Sequence, residues 1–143
     1  MNNHCGDIMT KELPCNVMNL INDPQSIKIL STFSGEDLLH SVPLGSLSAP
    51  SSDSIVFGKI MMNETHANLE RALKNHSFVS VLAVKGRDAY QIRCRPKAFS
   101  TDGPIFQTMR GKLPSEMPLH GVWLLEPIEL INQTPGPDAG KRL

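Results

Sequence analysis

Apolar positions along this chain recur mostly at every second residue, and helical spacing interrupts that alternation in three places. The alternation is plainest over Phe78–Lys85, where Val79, Val81 and Ala83 oppose Ser80, Leu82 and Val84, as a strand requires. Ser26–Phe33 sets Ile27, Ile29 and the small Ser31 against Lys28, Leu30 and Thr32. Turn chemistry at Ser34-Gly35-Glu36-Asp37 then predicts a hairpin returning over Leu38–Leu47. The polar stretch Ser48–Ser54 with Ala49-Pro50 reads as a loop, and Ser54–Lys59 as a third strand. After the Gly86-Arg87-Asp88 turn, Ala89–Phe99 is a fifth strand in which Pro96 calls for an edge or a bulge. Gly121–Ile131 is the last strand, with an interruption at Glu126-Pro127.

The helical segments are short. Pro14 suits a first turn, and Val17, Leu20 and Ile21 share a face before Asp23-Pro24 stops the helix. Between Asn63 and Asn75 the residues Ala67, Leu69, Ala72 and Leu73 fall on one broad face. Gly103-Pro104 opens a third helix over Ile105–Arg110, followed by a loop at Gly111–Pro118. Strands and helices do not alternate as a parallel sheet demands. The pattern predicts a mainly β single domain over residues 1–143, a six-stranded antiparallel barrel with short peripheral helices. Residues 1–12 and the Pro- and Gly-rich 134–143 are expected to be flexible tails.

Charge and composition narrow the function classes. Fourteen basic and fourteen acidic residues cancel, leaving no net field to draw in nucleic acid or an anionic membrane. The opening MNNHCGDIMTKE lacks the apolar segment of a signal peptide, and the expected location is the cytoplasm. Cys5, Cys15 and Cys94 form no C-x-x-C, which suits reduced thiols rather than a disulfide framework; Cys5, in the polar tail, is the one expected to oxidise incidentally. The five histidines show no metal-ligand spacing, and no metal is expected.

Phe57–Leu69, FGKIMMNETHANL, carries the most chemical content. A strand ends there, an irregular stretch follows, and a helix is expected to begin near Thr65. A helix start leaves unpaired N–H groups that favour a phosphate. Thr65 and Asn68 lie three apart and can face one anion, with Lys59 adding charge from the strand end. The same Thr65 equally suits a plain N-cap. No G-x-G-x-x-G occurs, so an FAD or NAD Rossmann site is not supported.

Three motifs in order resemble the FMN-binding split-barrel family related to pyridoxamine 5'-phosphate oxidase, most nearly its small FMN-binding and flavoredoxin-like members. KILSTFSGEDLLHSVPLGSL looks like the family's opening hairpin, IVFGKIMMNETHANLERALKNHSFVSVLAV its strand, "K-T-x-x-N-L" helix and following strand, and AFSTDGPIFQTM precedes the Trp123 strand. The resemblance implies an FMN cofactor. Pro43, Leu44, Gly45 and Ser46 then line the isoalloxazine, Lys59, Ile60 and Met61 pass along the ribityl chain, and Thr65 and Asn68 hold the phosphate. Gly45 has an independent rationale, since a missing Cβ lets a flat ring approach the backbone. Glu64 departs from the pattern, standing where the family has Lys or Arg.

Met61 and Met62 read as core fillers or flavin contacts, His40 and His120 as strand residues with polar partners, and Trp123 and Tyr90 as core or interface anchors. A barrel this small is filled by its own side chains. A flavin therefore needs a groove outside, and a second subunit supplies the missing wall: a homodimer with flavin at the interface. The expected function is an FMN-binding redox protein exchanging electrons with a partner protein or a small-molecule acceptor, without nucleic-acid or membrane partners. A pyridoxamine 5'-phosphate oxidase and a non-catalytic flavin- or haem-binding module are the alternatives. The oxidase's C-terminal Arg-x-His motif has no counterpart here, where the sequence reads GKRL.

Overall fold

The computed structural model describes residues 10–143 apart from Glu36. Helix α1, Cys15–Asn22, buries Val17, Leu20 and Ile21 on the stripe expected of them and ends at Asp23. Pro14 is its cap residue, with an extended backbone. Strands β1, Ile27–Phe33, and β2, Leu39–Pro43, form the anticipated hairpin with Leu30 opposite Val42. In β1 the side carrying Lys28, Leu30 and Thr32 is the buried one, and Ile27 and Phe33 face out.

The returning strand is shorter than expected, and the supposed loop after it holds another. The Leu44 backbone N–H still bonds the Lys28 carbonyl, at 2.9 Å, in register with the β1–β2 ladder. The chain then crosses to β3, Ser48–Ser51, which pairs with β4, Ser54–Lys59. The barrel therefore has seven strands rather than six. A serine-rich stretch of four residues lacks apolar alternation, and a side chain stabilises it instead: the Asn22 amide accepts from Ala49 N–H at 2.7 Å and donates to its carbonyl at 3.0 Å.

After helix α2, Asn63–Asn75, come β5, Val79–Lys85, β6, Asp88–Ser100, helix α3, Gly103–Lys112, and β7, Gly121–Asn132. All seven strands form one antiparallel sheet in the order β2-β1-β5-β6-β7-β4-β3. Its two edges, β2 and β3, are joined by the short segment Leu44–Leu47. Five Cα steps reach at most about 18 Å, so the sheet has to curl until its edges nearly meet, and the split runs between them. Pro96 sits at one register shift of β6 against β7, the bulge its sequence called for, and Pro127 at a second, where Ile128 is skipped, so the expected interruption is an irregularity within β7 rather than a break.

Beyond Leu125, β7 is no longer paired with β4, and both ends of the chain cover that edge. Lys11 N–H donates to the Pro127 carbonyl at 2.7 Å, Leu143 N–H to the Leu130 carbonyl at 2.9 Å, and Ile131 bridges to Arg142. Arg142 and Arg93 both pair with Glu129, and these two hydrogen bonds, Arg142's first, hold its carboxyl below the usual range. The segment 134–143 is thus bonded to the sheet rather than free. Its Pro and Gly residues shape turns that return the chain to β7. Thr10, bonded to Glu126, and Lys11 are likewise attached; residues 1–9 of the expected N-terminal tail, Cys5 included, lie outside the described residues.

The main core fills the barrel around Leu30, Ile55, Phe57, Val81, Ile92, Trp123 and Leu125. Helix α1 packs on β3 and β5, α2 on β1 and β6, and α3 on β6 and β7. Under α3 a second cluster of Val56, Met109 and Val122 covers the other face of β4 and β7. Among the described residues no helix is long and apolar enough to cross a membrane.

Candidate functional site

Helix α2 starts at Asn63, with Met62 as its cap residue and no side-chain cap bond. Thr65 is therefore in the first turn, neither the cap nor the first residue. Leu69 and Ala72 follow it at four and seven residues, the spacing of one helix face, so Thr65 shares their buried stripe and points inward. It is 1% exposed, and its hydroxyl meets His40 Nε2 at 3.1 Å. Asn68, also buried, donates to the Thr32 hydroxyl at 3.0 Å and accepts from Arg71 at 3.2 Å. His40 Nδ1 in turn lies 3.1 Å from a Glu64 carboxylate oxygen. These residues tie the start of α2 to the inner face of the β1–β2 hairpin.

The order Glu64–His40–Thr65 matches the carboxylate, imidazole and hydroxyl of an acyl-transfer triad. The buried Thr65 hydroxyl gives a substrate carbonyl no approach, so the arrangement acts as a clamp. A phosphate fits poorly for the same reason. The two side chains predicted to hold it are occupied within the chain, and the exposed charge on the first turn is the Glu64 carboxylate, which already complements the helix N-terminus.

The predicted ring wall is more open. Pro43 and Gly45 are exposed, Leu44 is buried, and a Cβ built on Gly45 meets nothing within 4 Å. The Ser46 hydroxyl accepts from Gly58 N–H at 3.0 Å, which brings the 43–46 segment against the end of β4, next to Lys59. Gly58 has no such space, because a Cβ there would approach Leu119 Cδ1 to 2.7 Å. Gly45 and Ser46 also border a cleft of about 410 Å³ between α1, β3 and the end of α3, within the size range of small-molecule sites. Ile60 is half-buried and Met61 is 84% exposed. Met61 is thus no core filler: the segment between β4 and α2 leaves it in solvent. Met62 packs against the main core.

A second imidazole lies on the next face of α2. The Trp123 indole N–H donates to His66 Nδ1 at 3.1 Å, and Phe99 meets the His66 ring edge-on, with centroids 4.7 Å apart. The remaining proton sits on Nε2, 3.5 Å from Glu70. Burial lowers the His66 pKa from the ordinary 6.5; Glu70 opposes this and Lys59 adds to it. No sequence spacing relates His66 to Trp123, and only the packing of α2 on the barrel reveals the pair. Trp123 is a core anchor, Tyr90 packs at the core's margin with its hydroxyl accepting from Asn16, and His120 is exposed. Cys94 is buried, which pushes its thiol far up and keeps it protonated; Cys15 is exposed. Among the described residues no cluster of His, Cys, Asp or Glu suits a metal ion.

No protein-family model and no curated protein sequence matches the chain. Solved structures do. HupZ from Group A Streptococcus superposes with a TM-score of 0.73 at 14% identity, covering 90% of this chain and 99% of its own. An FMN-binding protein from Syntrophomonas wolfei subsp. wolfei gives 0.72 at 16% identity, covering 80% and 82%. A candidate pyridoxamine 5'-phosphate oxidase from Lactobacillus delbrueckii gives 0.69 at 19% identity, covering 86% and 99%. The chain has the split-barrel fold of these FMN-binding and pyridoxamine 5'-phosphate oxidase-like proteins.

Proposed function

We propose that this protein is a flavin-binding redox protein whose ring site is the 43–46 segment across the split of the barrel. The observation that carries the reading is the bare backbone at Gly45, with open space where a Cβ would stand, in a fold shared with an FMN-binding protein. A flat ring can lie against that backbone, and the bond from Gly58 N–H to Ser46 fixes the wall's position. When bound, the flavin supplies electron or hydride exchange. The chain's own part is to hold the ring, shield one face and leave the other to an electron acceptor.

FMN is the form the resemblance and the named neighbour favour. Its phosphate would reach the first turn of α2 through backbone N–H groups, against the charge of Glu64 and without the Thr65 or Asn68 side chains. The proposed assembly is a homodimer. On the outward face of β1, β2 and β5 stand Ile27, Phe33 and Leu39, respectively 58%, 55% and 75% exposed, with Pro43, Leu82 and Val84 in register between them. Among the described residues no helix covers these side chains, and an apolar sheet surface of that kind favours association. A second copy seated there would also wall in the neighbouring ring. Mass measurement of the cofactor released from purified protein tests the flavin, with FMN expected. A protein that takes up neither FMN nor riboflavin would overturn the reading.

A further inference from the structure

The cleft beside Gly45 contains two polar groups that the flavin reading does not use. Lys28, on the inner side of β1, is 6% exposed, yet among the described residues its ammonium makes a single hydrogen bond, a 3.4 Å contact with the Asp23 carbonyl. An ammonium has three donors, and a buried charge normally has a close partner. The Asp23 carboxylate is hydrogen-bonded by Lys85 and by Gln25 N–H and acts on Lys28 only through charge, without a hydrogen bond to it. Ser48 also lines the cleft, and its enclosed hydroxyl has no hydrogen-bond partner among the described residues. Lys112 also lines it, and Leu47, Met109 and Leu113 supply apolar wall.

We propose that this cleft binds a small organic carboxylate with an apolar body. One of its oxygens accepts from the Lys28 ammonium, and its body lies on Leu47, Met109 and Leu113. One buried cation matches one negative charge, and apolar walls select against a bare inorganic anion. Lys112 adds attraction on this side of the molecule. The site stands independently of flavin binding, although Gly45 and Ser46 border both.

Benzoate is the probe and benzamide its neutral counterpart, each titrated into the full chain by calorimetry and by the methyl NMR signal of Met109. Benzoate should bind and shift that signal, with benzamide at least about tenfold weaker, as a charge-assisted hydrogen bond predicts. Lys28→Met should abolish the difference. If that variant does not fold, the ratio between the two probes in the unaltered protein decides by itself. Equal affinities, a Met109 signal that stays still, or no benzoate binding up to about 10 mM would overturn the proposal. Flavin titrated into the same preparation separates the two claims, because benzoate binding without flavin binding sustains this inference and removes the other.

Discussion

Thr65 and Asn68 show what a sequence can and cannot say about a single side chain. Their spacing identified one helix face, but whether that face meets solvent or the barrel is decided by the apolar Leu69 and Ala72, which lie on it. Both residues turn inward with them. Thr65→Ala should therefore act mainly on stability. It leaves His40 Nε2 without its buried partner, a loss of about 1–3 kcal/mol measurable by urea denaturation, while FMN and riboflavin affinities change together. A loss confined to FMN would mean that the hydroxyl reaches the phosphate. His66 gives the second expectation at this scale. Its pKa is lowered in the folded chain, so below about pH 6.5 the unfolded chain binds more protons than the folded one. The stability that neutral His66 contributes is complete above that pH and is lost as pH falls through the lower, folded value. Comparing denaturation of the wild type and His66→Gln between about pH 7.5 and pH 5 should show a steeper loss in the wild type.

Strands with apolar alternation were legible because burial of one face writes period two into the sequence. That covers β1, β5 and most of β6, and it covers α1 through its apolar stripe. Strand β3 was not legible. Its residues Ser48-Ala49-Pro50-Ser51 carry almost no pattern, and what completes the strand is an amide on α1, 27 residues away. Asn22→Ala removes both bonds and leaves the Ala49 N–H and carbonyl unpaired, so it should destabilise the protein by about 1–3 kcal/mol. Hydrogen exchange should report the effect first at Ala49, and unchanged protection there would count against this role. The C-terminal segment was misread for a related reason. Gly136 and Gly140 have positive φ, a sign of specific turns, and from sequence alone such turns are indistinguishable from a flexible tail.

At the scale of the whole molecule, the sequence conveyed the fold better than the site. The element pattern was enough to anticipate an antiparallel barrel, and the resemblance of three motifs made it a split barrel, whereas the site depends on which faces remain uncovered after folding. Two surfaces matter: the apolar outside of β1, β2 and β5, and the split beside Gly45. Leu39→Lys places a charge in the first surface at a position 75% exposed in the single chain. It should leave the fold intact and convert a dimer to a monomer by sedimentation velocity; a wild type that sediments as a monomer would remove the dimer. The second surface holds the central claim, and titration of FMN and riboflavin into the wild type and Gly45→Leu tests it most directly. Gly45 has room for the larger side chain, so the variant should fold. The account predicts about one flavin bound per chain in the wild type and at least about tenfold weaker binding of both flavins in Gly45→Leu, as expected when a side chain fills the ring's place. No binding of either flavin to the wild type at about 100 μM, or equal binding by the two proteins, would contradict it.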